Sequence, residues 1–375
     1  LAAALRAAGV DVRAARVVQT HYKPFARARL LIEADGGWLF AEIHADAGRA
    51  QQALAESKEG ARLLDPWCAV LWRLPHAPRL AHAAFCFERA AFARFAQAHA
   101  LDVPARALPQ LVRYVPKRRA LFRCGALYVK CYRRGRDAQA ALNLRALAAA
   151  QPLGFAVPAL VAHDAECAAV VAREIAGMQF TTRVDDAAEC ARVGGALARL
   201  HASGVAPQAQ WSAADELAAL RKAMAEVALA LPELAAPLER LLDELHAAAE
   251  RLAFPTDAPI HANLFGDQIL VAPPGVGIVD WDDLARGDPL YDLGRLAAHL
   301  IYLRLAGAAR TDHVAALCAG YGGPIDAARL RWQIAVALLL RAKISSLRLL
   351  PPHWPQHLAA AVRSAAELLH GQRNR

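Results

Sequence analysis

Two stretches late in the chain set short polar motifs between strand-like apolar runs. They are "IHANLFGDQILV", Ile260 to Val271, and "GIVDWDD", which carries Asp280 and then a second pair of acids. Upstream, "LYVKCY" holds Lys130 in the middle of another apolar run. A strand lysine, an acid after a strand and a polar loop are ingredients of phosphoryl transfer. That reaction needs a cation on the nucleotide phosphates, carboxylates or amides on magnesium, and a group that positions the acceptor hydroxyl. At the centre of the loop, where a carboxylate would act as base, stands Asn263. A neutral amide orients a hydroxyl but cannot take its proton near pH 7. Each residue alone also has a plainer reading: a strand lysine facing solvent, an acid capping a turn, and a basic turn "PKRR" whose Lys117, Arg118 and Arg119 are a solvated hairpin tip.

The elements that would position these residues are legible in outline. "LVRYVPKRRALFRCGALYVKCY" reads as three short strands, with a Pro-Lys-Arg-Arg turn and Gly125 as the two breaks. "DAQAALNLRALAAAQ" reads as a helix stopped by Pro152, and "VPALVAHD" and "AAVVAREI" are again strand-like. A helix-rich half opens near Asp185, with Gly204 as the expected end of its first helix, and another helix opens at Ser212, where Asp215 completes a capping box. An internal echo precedes all of this. "HYKPFARARLLIEADGGWLFAEIHADAGRAQQAL" parallels "RYVPKRRALFRCGALYVKCYRRGRDAQAAL" in its aromatic-x-Pro start, basic turn, strand, glycine turn, strand and helix start. Either two hairpin-plus-helix units are alike by chance, or a lobe is duplicated, with Glu42 in the first copy where the second has Lys130.

The order of these pieces carries more than any one of them. Strand Lys130, a helix, the hinge-like "AREIAG", a helix ending "ARLHASG", then "HANLFGDQILV" and "GIVDWDDLARGDPLYDLGRL" resemble the aminoglycoside phosphotransferase and choline kinase superfamily, a branch of the protein-kinase-like fold. The resemblance covers roughly residues 108 to 345 and rests mostly on the last two motifs. It implies an α+β, bilobal protein-kinase-like fold, with a small β-rich N-lobe and a larger helical C-lobe, preceded by an extra N-terminal α/β domain. The expected domains are 1–105, 106–180 and 181–375, the first a degenerate duplicate of the kinase N-lobe. It further implies ATP and Mg2+ as cofactors. Lys130 would hold the nucleotide phosphates, helped by Lys117, Arg118 and Arg119, and the backbone near Glu174 and Ile175 would meet the adenine. Asp280 and Gln268 would sit on magnesium, Asn263 would occupy the place of the catalytic aspartate, and Asp288 and Asp292 would brace the loop and cap the next helix. The sequence departs from the family at three places. The helix after Lys130 offers Asn143 where a glutamate partner is expected, Gln268 is one methylene longer than the usual asparagine, and Asn263 is not an aspartate.

The whole chain bounds what remains. Its 375 residues favour two or three lobes, and 56% apolar with 21% charged residues is an ordinary globular composition. A net charge of +9 suits an anionic ligand, and without an aromatic-interleaved basic motif it does not make a nucleic-acid binder. The cysteines at 68, 86, 124, 131, 167, 190 and 318 form no CxxC pair and no zinc spacing, so reduced buried thiols are expected. "LAAALRAAGVDVRAARVV" makes a poor signal peptide and "IAVALLL" is too short to span a membrane, which together predict a cytoplasmic protein.

Two readings of function follow. In one, the chain is an ATP-dependent phosphotransferase acting on a hydroxyl of a small molecule, neutral or anionic given the positive charge. In the other it is a pseudokinase whose output is a protein partner. Asn263, the missing glutamate and Glu42 favour the second; Lys130, Gln268 and Asp280 favour the first, which we take as the expectation.

Overall fold

The computed structural model describes residues 1–57, 60–76, 81–116, 118–273 and 275–371. It divides into two compact units, Leu1–Ala141 with Ala159–Glu174, and Leu142–Pro158 with Ile175–Arg375. The first is built on sheets and the second on helices, the α+β class expected from the sequence.

The first unit opens with helix α1 (Ala2–Ala7), strands β1 (Ala15–Lys23), β2 (Arg27–Ala34) and β3 (Gly37–His44), helix α2 (Ala47–Ala55), and strands β4 (Ala61–Leu64) and β5 (Ala69–Arg73). After α3 (Arg89–Ala98) come β6 (Gln110–Val115), β7 (Arg119–Cys124), β8 (Leu127–Tyr132), helix α4 (Asp137–Ala149), β9 (Leu160–Asp164) and β10 (Ala169–Arg173). The two five-stranded sheets have the orders β1-β2-β3-β5-β4 and β6-β7-β8-β10-β9. Every pairing in both is antiparallel, and in both a helix follows the third strand.

Strand alternation explains how the sheets are used. One face of the first sheet, with Ile32, Leu39, Ala41 and Leu71, packs with Leu5, Val10 and Val12 of the N-terminal segment. The other face presents Leu31, Phe40, Val70 and Trp72 to a core shared with Phe92 and Phe95 of α3 and with Tyr114, Phe122, Val129, Cys131 and Val171 of the second sheet. Phe40 meets Tyr114 edge-on at 5.4 Å between ring centroids, and Phe87 meets Phe122 at 5.2 Å. The boundary expected near residue 105 therefore falls inside one unit, because residues on both sides of it fill the same core. The divisions fall at Ala141, at Pro158 and between Glu174 and Ile175, the last within the hinge-like "AREIAG".

The second unit holds β11 (Met178–Gln179), α5 (Ala187–His201), β12 (Ala209–Gln210), α6 (Ala213–Ala230), α7 (Ala235–Arg251), β13 (Ala258–Ile260), β14 (Ile269–Ala272), β15 (Gly275–Ile278) and β16 (Ala285–Gly287). It is completed by α8 (Leu290–Leu305), α9 (Val314–Tyr321), α10 (Ala327–Ala342) and α11 (Trp354–Leu369). Asp186 caps α5 by accepting from the Ala188 and Glu189 N–H groups, and Ser212 caps α6 by accepting from Asp215 N. Helix α5 ends at His201 with Ala202 as its cap, two residues before the expected glycine at 204. Helices α8 and α10 are buried on almost every side, and their backbones approach closely at Gly294, where a Cβ would lie 2.6 Å from that of Gln333. Two small sheets, β11-β14-β15 and β12-β16-β13, sit among these helices and present the polar loops. Among the described residues no helix is long and apolar enough to cross a membrane.

Candidate active site

The loop after β13 is held by its backbone. Asp292, fully buried on the first turn of α8, accepts from His261 N at 2.6 Å, from Ala262 N at 3.1 Å and from His201 Nε2 at 3.2 Å. Those bonds hold Ala262 at φ +63°, a left-handed conformation that costs an alanine energy and persists only where its surroundings impose it. Tyr291 OH closes the same turn by donating to Ala262 O at 3.1 Å. Burial alone would raise the Asp292 pKa; the His201 hydrogen bond, the charge interactions with His201 and His261 and the His261 N–H together bring it below the usual carboxylate value. His261 is a wedge: its Nε2 donates to Val279 O at 3.0 Å and its ring lies 4.6 Å from Trp281. Asp288 is equally buried. It accepts from Leu290 N at the start of α8 and from Gln333 Nε2, with Arg329 at 3.3 Å, and its burial pushes its pKa up.

The second loop follows β15. Asp280 takes a left-handed turn at φ +69°, and residues Trp281–Asp283 form a single 3-10 turn. Trp281 anchors it, donating from Nε1 to Ile278 O at 2.8 Å and stacking on Phe155 at 6.2 Å. Asn143, on the part of α4 that belongs to this unit, donates from Nδ2 to Trp281 O at 2.8 Å and to Asp282 O at 3.2 Å. The position that offered no glutamate thus carries an amide tied to the loop backbone.

The two loops meet through side chains. Asn263 Nδ2 donates to Asp283 Oδ2 at 3.0 Å, and Gln268 Nε2 donates to Asp280 Oδ2 at 3.2 Å. The Gln268 oxygen accepts from Phe265 N at 2.8 Å. That N–H needs an acceptor, so the amide is fixed with its oxygen on the loop and its NH2 group toward Asp280. A hard divalent cation takes oxygen ligands, and here the carboxylate of Asp280 offers them while Gln268 presents a donor. In this arrangement Gln268 braces Asp280 through its NH2 group. Among the described residues no three His, Cys, Asp or Glu side chains are grouped to hold a metal ion. Magnesium bound through one or two carboxylates and substrate phosphates does not need such a group, so Asp280 fits it.

The remaining sequence candidates lie in the first unit or at its edge. Lys130 is half-buried on β8, paired across the sheet with Leu121 and Val170, its ammonium 5.3 Å from the centre of the Tyr132 ring. Arg118 is exposed in the turn and Arg119 begins β7 opposite Tyr132; Lys117 lies outside the described residues. Glu174 N donates to Ala126 O at 2.8 Å while its carboxylate pairs with Arg123 at 2.9 Å. Ile175 begins the second unit and leans on Gly277, where a Cβ would lie 2.7 Å from Ile175 Cγ2.

Sequence reasoning did not single out three features. Asp283 was one of a pair of acids; only the 3-10 turn brings it to Asn263. Asn143 registered as a missing glutamate. Phe265, two residues past Asn263, has two guanidinium groups near its ring, Arg295 at 5.7 Å and Arg341 at 5.1 Å from the ring centre. Arg295 is anchored by Glu216 at 2.8 Å.

A model of the APH phosphotransferase enzyme family matches residues 118–332, more than half of the chain, and the chain belongs to that family. Among solved structures it is similar to a choline/ethanolamine kinase family protein from Mesorhizobium loti. They share 20% identity at a TM-score of 0.53, over 73% of this chain and 94% of that one. It is also similar to the spectinomycin phosphotransferase APH(9)-Ia, in complex with ADP and spectinomycin, at 12% identity and a TM-score of 0.50, over 77% of this chain and 95% of that one. At such identities the likeness shows the protein-kinase-like fold. No curated protein matches the sequence.

Proposed function

We propose that this phosphotransferase uses ATP and transfers its γ-phosphoryl group to a hydroxyl of a small-molecule acceptor. The observation that carries the reading is the pair of clamped loops: Asp280 held by Gln268 on one, Asn263 bonded to Asp283 across them, and both tied down by Asp292 and Asn143. A scaffold has no need of this rigidity in a polar loop pair, whereas phosphoryl transfer depends on positioning and fixed electrostatics. In this reading Lys130 holds the nucleotide phosphates, with Arg119 on the same sheet and Arg118 in the turn before it, and the backbone at Glu174 and Ile175 meets the base. Bound magnesium would neutralise charge on the phosphates, with Asp280 as its protein ligand. The ADP in the spectinomycin phosphotransferase agrees with a nucleotide site.

The acceptor reads as neutral or anionic. Arg341 lies over Phe265 beside the catalytic loop, and its Nε is buried with no hydrogen-bond partner among the described residues. Burial lowers its pKa even though Asp267 opposes the change. An acceptor with a carboxylate or phosphate would satisfy it; a polycation would not. The pseudokinase remains the second reading, favoured by Asn263.

The first sheet is best read as a degenerate copy of the second, which shares its strand order and helix position. It carries Glu42 in place of Lys130, buried against Arg29 at 2.6 Å, and its Phe40 face is filled by core residues. On this reading it braces the working lobe and binds no nucleotide. The experiment that tests the proposal is thermal unfolding with ATP, with and without magnesium. The expected outcome is a magnesium-dependent rise in melting temperature that Asp280→Ala abolishes and the surface change Glu239→Ala leaves intact; a rise insensitive to Asp280→Ala contradicts it.

A further inference from the structure

Asn263 stands at the family's base position, and its amide cannot take a proton. The carboxylate it touches is that of Asp283, 3.0 Å from Nδ2. We infer that amide and carboxylate have exchanged places: Asp283 is the proton acceptor for the incoming hydroxyl, and Asn263 is the positioning residue that aims it. This rests on the phosphotransferase reading of the site.

The geometry supports the exchange from both sides. A carboxylate accepts and does not donate, so the Asn263 amide must turn its NH2 group to Asp283. The hydrogen bond therefore has one sense, and it holds the Asp283 carboxylate in one orientation. Neither end is free to drift: Asn263 follows His261 and Ala262, whose N–H groups are held by Asp292, and Asp283 ends a turn whose carbonyls are held by Asn143. Asp283 is half-buried, so it keeps a route to solvent for its proton. Asp280 and Asp267 are placed differently. Asp280 receives Gln268, and Asp267 lies in the turn before β14, where its charge acts on Arg341.

The chemistry balances without a further reagent. The acceptor O–H gives its proton to a carboxylate oxygen of Asp283 as its oxygen forms a bond to the γ-phosphorus of ATP. The bond from that phosphorus to the β–γ bridging oxygen breaks, its electron pair leaving with ADP. Asp283 then returns the proton to water.

The exchange makes an uncommon prediction for Asn263→Asp. Alone, it sets two carboxylates about one hydrogen bond apart, where like charges cannot both ionise freely, so it brings no large gain. Paired with Asp283→Asn it restores one carboxylate and one amide in the opposite order.

The test uses the full chain with ATP and magnesium, water standing in for the unidentified acceptor, and reads phosphate release alongside the ATP-dependent melting shift. Asp283→Asn is expected to lower kcat by about 10²–10⁴-fold, the usual worth of general-base help, with the melting shift kept. Asn263→Asp/Asp283→Asn is expected to recover most of the loss, which a merely structural role for Asp283 would not produce. Release by Asp283→Asn at the wild-type rate, or no recovery in the double variant, overturns the inference. Wild-type protein that binds ATP but releases no phosphate overturns it too and leaves the nucleotide site standing. Absence of any ATP-dependent shift removes the parent reading and this one together.

Discussion

Asp292 shows how much of the site depends on one buried group. It satisfies two backbone N–H groups of the loop after β13, and a buried donor left unsatisfied costs about 1–3 kcal/mol. Asp292→Ala is expected to lower the urea midpoint accordingly and to abolish ATP-dependent stabilisation, since Ala262 loses what holds its left-handed turn; an unchanged midpoint would contradict this. His299, buried behind the loop, receives Gly266 N at 3.5 Å on Nδ1. Burial, with the Arg341 charge adding to it, drops its pKa well below the ordinary value. A histidine whose folded pKa is depressed takes up its proton more readily when unfolded. Its stabilising contribution is therefore full above the unfolded value of about 6.5 and is lost as pH falls below it. Melting temperatures measured from pH 7.5 down to 5.5 should fall for the wild type and fall less for His299→Gln; parallel curves would remove His299 as the cause. At this scale the sequence revealed residue types at motif spacing. His261, Asn263, Gln268 and Asp280 were proposed that way, whereas the direction of the Gln268 amide and the Asn263–Asp283 pair depend on turns that spacing does not encode.

The elements were more legible than the contacts. Alternation marked β6, β7 and β8, and capping residues marked α5 and α6 to within a residue or two of their starts. The echo around Pro24 and Pro116 corresponds to two sheets of identical strand order. What alternation could not say is which neighbour each sheet face would meet, so the shared core of Phe40, Tyr114 and Phe122 was invisible, and with it the reason residue 105 lies inside one compact unit. Glu42 gives this a measurable form. Removing it leaves the Arg29 guanidinium, only 13% exposed, without its carboxylate, and breaking a buried pair in this way costs about 3–5 kcal/mol. Glu42→Ala should therefore destabilise the protein in urea yet leave the ATP-dependent melting shift unchanged; loss of that shift at preserved stability would show the first sheet to take part in binding. Asn143→Ala should do the reverse in proportion, costing about 1–3 kcal/mol of stability and weakening the nucleotide response through the loop that carries Asp280.

For the molecule as a whole, membership in the phosphotransferase family and the helical unit's paired loops narrow the question to turnover. The +9 charge favours anionic nucleotide and an anionic or neutral acceptor, and it predicts nucleotide affinity that weakens as salt rises. Composition could suggest that much but could not decide whether a loop lacking its aspartate still works. The most direct measurement is phosphate release from ATP by the purified chain in the presence of magnesium, compared with Asp280→Ala at equal concentration. The expected result is a slow but magnesium-dependent release by the wild type that Asp280→Ala eliminates. Magnesium-dependent ATP binding with no release above the Asp280→Ala background would contradict it and make this member of the family a binder of nucleotide only.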